Sequence, residues 1–418
     1  MPDAPQTQPP IHTQCVIAGG GPAGMMLAFL LGRAGIHVTL LEKHADFLRD
    51  FRGDTIHPST LQLLHELGIL DDFLQLPHQE LTHISGRVQG IEVLIADFRH
   101  LPTHAKFIAL MPQWDFLNFL ASHAKQFPTF NLIMQANVSG LITEHNRITG
   151  LIAQTPQGPI EIRAELTVGA DGRHSTLRQL AHLEVIDRGA PIDVLWMRLT
   201  RRPTDPEITL GHFIPGNILV TINRADYWQC ALVIPKGGLE NIQQQGLPGF
   251  QQTIARIAPF LKDRTAELDS WDKIKLLTVA VDHLRHWSRP GLLCIGDSAH
   301  AMSPIGGVGI NLAIQDAVAA ANLLAAPLAQ HAPITNILLQ KIQHRREFPT
   351  RLLQSLQVFA HKRILAPALT RTTPLTRLPL AVRLLKNFPY LRRLPARLVG
   401  IGPRPEHIRT PRIAPPPR

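Results

Sequence analysis

Tyrosine and cysteine are scarce in this sequence. Only Tyr227 and Tyr390, and only Cys15, Cys230 and Cys294, occur in 418 residues. No two cysteines form a C-x-x-C pair. That excludes a paired-thiol redox centre and fits a reducing, cytoplasmic setting. The 21 histidines show neither H-E-x-x-H nor comparable ligand spacing, so no metal centre is expected. No apolar run reaches 18 residues, so no membrane-spanning helix is expected. The polar, proline-rich residues 1–13 lack the basic start and apolar stretch of a secretory signal and read as a flexible tail. Negative charge is the scarcer sign: 32 acids against 42 Lys and Arg leave a net charge of +10. The excess lies mainly in 346–363 and 371–418. No nucleic-acid motif accompanies it, so nucleic acid is not an expected partner. An anionic cofactor or an anionic membrane is the better match.

What is present starts with a strand, a turn and a helix. The apolar run 14–18 leads into Gly19, Gly21 and Gly24 at G-x-G-x-x-G spacing, followed by an apolar helical stretch over 25–31. A second strand over 37–41 ends in Glu42. This is the layout that binds a dinucleotide. Gly19 permits the tight turn, Gly21 lets a pyrophosphate approach the backbone, and Gly24 lets the helix pack on the strand. Amides at the helix start then face the phosphates. Glu42 stands at the distance at which an acid bonds a ribose hydroxyl.

Hydrophobic residues at 44% and charged residues at 18% support a large core, and the length suits two or three domains. Helices are expected over 58–67, closed by Gly68, and over 113–126. Residues 131–164 read as a β-meander broken at Asn146 and 156–158, with another buried strand at 166–170. Strands at 194–199, 218–223, 228–234 and 275–281 surround one helix at 248–261. A strand over 291–295 and a long helix over 310–326 follow. The region 333–418 is helical, then proline-broken.

Three stretches together resemble the flavoprotein aromatic hydroxylases of the para-hydroxybenzoate hydroxylase type. They are the turn 19–24 with Glu42; Gly169-Ala170-Asp171-Gly172-Arg173-His174-Ser175-Thr176-Leu177-Arg178; and Gly296-Asp297-Ser298-Ala299-His300 with Pro304 and 306–311. The resemblance implies an α/β fold: a Rossmann-like FAD-binding domain of the glutathione reductase type 2 layout, an inserted, mainly antiparallel substrate domain, and a C-terminal helical region. The FAD-binding domain is expected at 14–75, 106–184 and 286–332. The substrate domain is expected at 76–105 and 185–285, and the helical, basic region at 333–418.

It also implies the FAD contacts: Gly19, Gly21, Pro22, Ala23, Gly24, Glu42, Lys43, Arg52, Gln113, Val138, Asp171, Gly296, Asp297, Pro304, Gly306, Gly307, Val308, Gly309, Ile310 and Asn311. Arg52 and Pro304 form the implied catalytic set. The implied reaction uses NADPH or NADH as a transient co-substrate and O2, through a C4a-hydroperoxyflavin, to hydroxylate an aromatic or polycyclic small molecule. The cofactor supplies the hard chemistry, so no Ser-His-Asp centre is expected. Trp196, Met197, Phe213, Leu219 and Trp228 are candidates to roof the flavin, and Tyr227, His57 and His212 to line the substrate. His300 reads as a structural member of its motif. A flavin reductase of a prenyl or lipid-like group and a non-catalytic FAD-binding protein are the alternatives. A monomer or homodimer is expected in the cytoplasm; the basic, amphipathic C-terminal region reads first as a helix docked on the domain and second as a peripheral membrane contact.

Overall fold

The computed structural model describes residues 9–48, 55–88, 90–207, 210–373 and 378–413. The first strand, Ile11–Ala18, lies inside an eight-stranded sheet, and its last five residues are buried. A parallel strand covered on both faces needs such a continuous apolar run. It pairs in parallel with Gly158–Gly169 on one side and Val38–Glu42 on the other. Leu292–Cys294 and Phe130–Met134 extend the parallel set outward. All five strands therefore deliver their C-terminal ends to one edge, where open α/β sheets bind ligands. The meander forms as Asn137–Glu144, Arg147–Thr155 and Gly158–Gly169.

Helix Pro22–Arg33 starts at a proline, which gives up an amide that has no partner inside the helix. It packs beside helix Gly309–Ala329. The stretch Ile305–Ala329 is long and apolar enough to cross a membrane, contrary to the sequence expectation. Yet 72% of its window is buried inside the fold, because a helix covered on all sides by protein is apolar all round.

Seven strands form a second sheet, in the order Lys275–Leu277, Ile192–Thr200, Tyr227–Pro235, Asn217–Asn223, Leu210–Ile214, His83–Val88 and Ile91–Asp97. Every pair is antiparallel except Leu210–Ile214 with His83–Val88. The helix expected over 248–261 forms as Gly246–Ile257 and gives way to a 3-10 stretch, Pro259–Glu267, since Pro259 lacks the amide needed for continuation. A short helix, Leu239–Gln244, precedes it.

After helix Asn336–Ala360 the chain makes a π-helical turn, His361–Leu365, and a short helix, Ala366–Thr370. Helix Leu380–Asn387 buries none of its residues. Helix Arg393–Gly400 docks through Ala396 and Gly400, and a Cβ on Gly400 would lie 2.7 Å from Leu101 Cδ1. The last described residues run back over the first sheet's helices as a strap. Ile408 N donates to Glu66 Oε2 at 2.9 Å and Arg409 N to Asn322 Oδ1 at 2.9 Å. Ile413 N donates to Arg33 O at 3.0 Å.

Candidate flavin site

The first turn is built by close backbone packing. Gly19 has φ +104°, and its N–H donates to Leu41 O at 2.8 Å. A Cβ there would lie 2.4 Å from Ala170 O, and a Cβ on Gly24 would lie 2.0 Å from Gly19 O. Gly19 is thus fixed by its φ and Gly24 by contact. A Cβ at Gly21, in contrast, would meet no atom within 4 Å. Open space lies before this helix N-terminus, where its amides favour an anion. The buried Glu42 carboxylate accepts from Gly20 N and His44 N, both at 3.0 Å. Lys43 beside it is exposed. Ala136 N donates to Glu42 O at 2.9 Å, which brings half-buried Val138 to the same strand end.

The second turn lies directly against the first. Ala170 N donates to Ala18 O at 2.8 Å. Asp171 Oδ2 accepts from Leu177 N at 3.1 Å, while its Oδ1 is buried with no partner among the described residues. Burial pushes the Asp171 carboxyl above the usual carboxylate range. Ser175 caps the helix that follows, accepting from Arg178 N at 3.0 Å.

The third turn closes the group. Ser298 Oγ donates to Gly169 O at 2.6 Å. A Cβ on Gly296 would lie 3.0 Å from Ala23 Cβ and 3.2 Å from Ala313 Cβ, so Gly296 is wedged between the starts of two helices. Half-exposed Asp297 has its Oδ2 3.7 Å from Arg173 Nη2. Gly306 and Gly307 take φ +78° and +63°. Thr55 Oγ1 donates to Gly307 O at 3.1 Å. Asn311 Oδ1 accepts from His57 N at 3.1 Å and Thr60 Oγ1 at 2.7 Å. A Cβ at Gly309 would meet nothing within 4 Å. Pro304 sits between Ser303 and Ile305, whose carbonyls both accept from Gln357 Nε2 at 3.0 Å.

Behind the third turn lies a buried charge network. Asp316 Oδ2 accepts from Gly296 N at 3.1 Å and lies 2.5 Å from His300 Nε2. Arg346 Nε donates to Asp316 Oδ1 at 3.0 Å, and Arg346 Nη1 to Glu406 Oε1 at 3.2 Å. Burial opposes ionisation of Asp316, but His300 and Arg346 outweigh it and hold the carboxyl below its ordinary range.

Residues 19–24, 169–178 and 296–311, far apart in sequence, are therefore brought together with Glu42 and Val138. Gln113, half-buried, opens helix Gln113–Ala124. Arg52 lies outside the described residues. The expected roof divides. Trp196 and Phe213 share a sheet face with Ile305 of the third turn. Met197, Leu219 and Trp228 point the other way, into the core under helix Gly246–Ile257, because neighbouring strand residues alternate in direction. His212 also faces that side: its Nε2 is 3.1 Å from Thr221 Oγ1, and its ring is 6.1 Å from that of Phe260. His57 caps helix Pro58–Glu66 and bonds Val399 O through Nδ1 at 2.8 Å. Tyr227 carries the Arg198 guanidinium 3.8 Å over its ring, next to exposed Ala225 and Asp226. Arg173, Asp316, Arg346 and Glu406 were missed by sequence reasoning. Arg173 occupies a variable position inside its motif, and the other three reveal their partners only in the fold.

Residues 12–355 match the family model described as FAD binding domain. The chain belongs to this family, the aromatic-hydroxylase class of FAD-dependent monooxygenases. It is 33% identical over 363 residues to 6-methylpretetramide 4-monooxygenase of Streptomyces rimosus, covering 85% of each chain. Its structure is similar to the OxyS anhydrotetracycline hydroxylase of Streptomyces rimosus, with TM-score 0.73 and 22% identity over 93% of this chain and 76% of that one. It is also similar to PqsL of Pseudomonas aeruginosa, with TM-score 0.72 and 20% identity over 86% and 98%. At these identities the two structures share the fold.

Proposed function

We propose that the chain uses NAD(P)H and O2 to hydroxylate a flat, polycyclic aromatic compound. One observation carries the reading: two helix N-termini meet at Gly296, and Ile305 joins their turn to an apolar sheet face. The relative's named substrate class, a pretetramide, supports the polycyclic assignment. FAD, when bound, would supply the redox chemistry by which NAD(P)H and O2 give one oxygen atom to the ring and the other to water.

The chain's own residues hold and shield. The amides following Gly21 suit the pyrophosphate, for which the family resemblance also implies a two-pronged cation from Arg52. Glu42 and Lys43 suit the adenosine ribose, and Val138 the adenine. Gln113 and Asp171 flank the cofactor, and Asp297 suits a ribityl hydroxyl. The backbone of 306–311 and its helix start suit negative charge on the flavin's pyrimidine edge. Pro304 holds the turn facing the substrate.

The test is a screen of phenols, quinone precursors and polyketide-like aromatics against FAD-loaded protein. Stimulated NAD(P)H oxidation and a product heavier by one oxygen are expected. Turnover without oxygen consumption would overturn the reading in favour of a reductase. FAD binding with no NAD(P)H oxidation at all would leave only a flavin-binding protein.

A further inference from the structure

The sheet face that carries Trp196 and Phe213 is opposed by a segment more than 130 residues later in sequence. Leu365 is buried against it, and Ala368 and Leu369 are half-buried there beside Ile305. The contact is fixed by the backbone, because Gly216 N donates to Ala368 O at 3.1 Å.

Three further bonds tie this segment to the third glycine turn. Ser303 Oγ lies 2.9 Å from His361 Nε2. Gln357, one turn earlier, holds the carbonyls of Ser303 and Ile305. Between Gln357 and Ala368 the helix makes its π-helical turn, His361–Leu365. Such a turn inserts a residue and rotates everything after it, and it concentrates at functional sites. After this turn Leu365, Ala368 and Leu369 are the residues that lie against the sheet.

The apolar side chains facing one another here, Trp196, Phe213, Ile305, Ala368 and Leu369, are all only half-buried. A flat apolar molecule lying between them would complete their burial, as small-molecule sites generally do.

We propose that residues 365–369 form the second wall of the substrate cleft, and that Ala368 and Leu369 set how many fused rings fit. This rests on the hydroxylase reading and extends it to substrate size. Of the three side chains of this wall that lie against the sheet, Leu365, Ala368 and Leu369, Ala368 is the smallest, so it marks the place where length is admitted. A bulky group there shortens the cleft.

The experiment compares holoenzyme variants on a panel of phenols with one to four fused rings. It measures kcat and KM from NAD(P)H oxidation, and ligand binding from perturbation of the flavin spectrum. Ala368→Phe is expected to weaken binding of the largest rings by roughly tenfold or more. Single-ring binding should change less than about twofold. Leu369→Ala is expected to shift preference the other way. Lys362→Ala, exposed on the same segment, is the control. FAD content and thermal stability report whether each variant is folded. If Ala368→Phe destabilises the protein, Leu369→Ala still decides.

Folded variants whose size preference matches the unaltered protein would overturn the wall assignment and leave the hydroxylase reading intact. A panel that neither perturbs the flavin spectrum nor speeds NAD(P)H oxidation in the unaltered protein would sink the hydroxylase reading, and the wall with it.

Discussion

Gly21 and Gly24 are three residues apart and separate two demands that one fingerprint combines. A Cβ at Gly24 would strike Gly19 O at 2.0 Å, whereas one at Gly21 would enter open space. Gly21 also has φ −71°, which alanine adopts freely. Gly21→Ala should therefore leave the thermal midpoint of FAD-free protein unchanged and weaken FAD binding by about tenfold or more. Gly24→Ala should lower the midpoint itself. Equal melting of the two variants without FAD would refute this division.

Two buried histidines make a second prediction. Burial pushes His57 and His212 from the ordinary 6.5 down to about 4, so both are neutral in the fold. The stability they contribute is whole above pH 6.5 and is lost as pH falls through 4. At about 1.4 kcal/mol per pKa unit, His57 alone accounts for roughly 3 kcal/mol. Thermal midpoints should drop between pH 6.5 and 4, and His212→Gln should flatten that drop. An unchanged slope in the variant would refute the assignment.

Among the elements, the strap has the clearest measurable role. It bonds helices Pro22–Arg33, Pro58–Glu66 and Gly309–Ala329, and Glu406 completes the charge network behind Gly296. Removing one partner of a buried ion pair typically costs about 3–5 kcal/mol. Truncation after Pro403 should cost at least that in urea unfolding and should raise the Kd for FAD. A truncated chain with full stability would show that the strap is incidental.

None of this could be read from residues 404–413, because the strap's bonds run to groups remote in sequence. The glycine turns were legible, since each carries its own local geometry: positive φ at Gly19, Gly306 and Gly307, and close approach at Gly24 and Gly296. The strands around 194–234 were legible too, but their facing was not. Both faces of that sheet are covered, so both read as apolar, and period alone does not say whether Trp196 or Met197 meets the flavin side. The parallel pairing of Leu210–Ile214 with His83–Val88 joins segments more than 120 residues apart, and nothing local announces it.

At the scale of the whole molecule, the net charge of +10 bears on how anionic cofactors arrive. Summed fields raise encounter rates with opposite charge and fade with salt, since the screening length is about 10 Å at 0.1 M. Raising salt should increase the KM for NADPH more than the KM for an uncharged aromatic. Equal responses would exclude steering by the basic surface.

The position of Glu406 also sets an order of events during synthesis. Asp316 and Arg346 leave the ribosome well before their last partner does, and the first strand waits for residues 162–169 before its sheet can close. Until Glu406 emerges, a newly made chain holds charged groups destined for the interior with their compensation incomplete. The nascent protein should therefore be most vulnerable between the emergence of Arg346 and that of Glu406, and a ribosome stalled within that interval should display a chain that protease cuts and FAD does not protect.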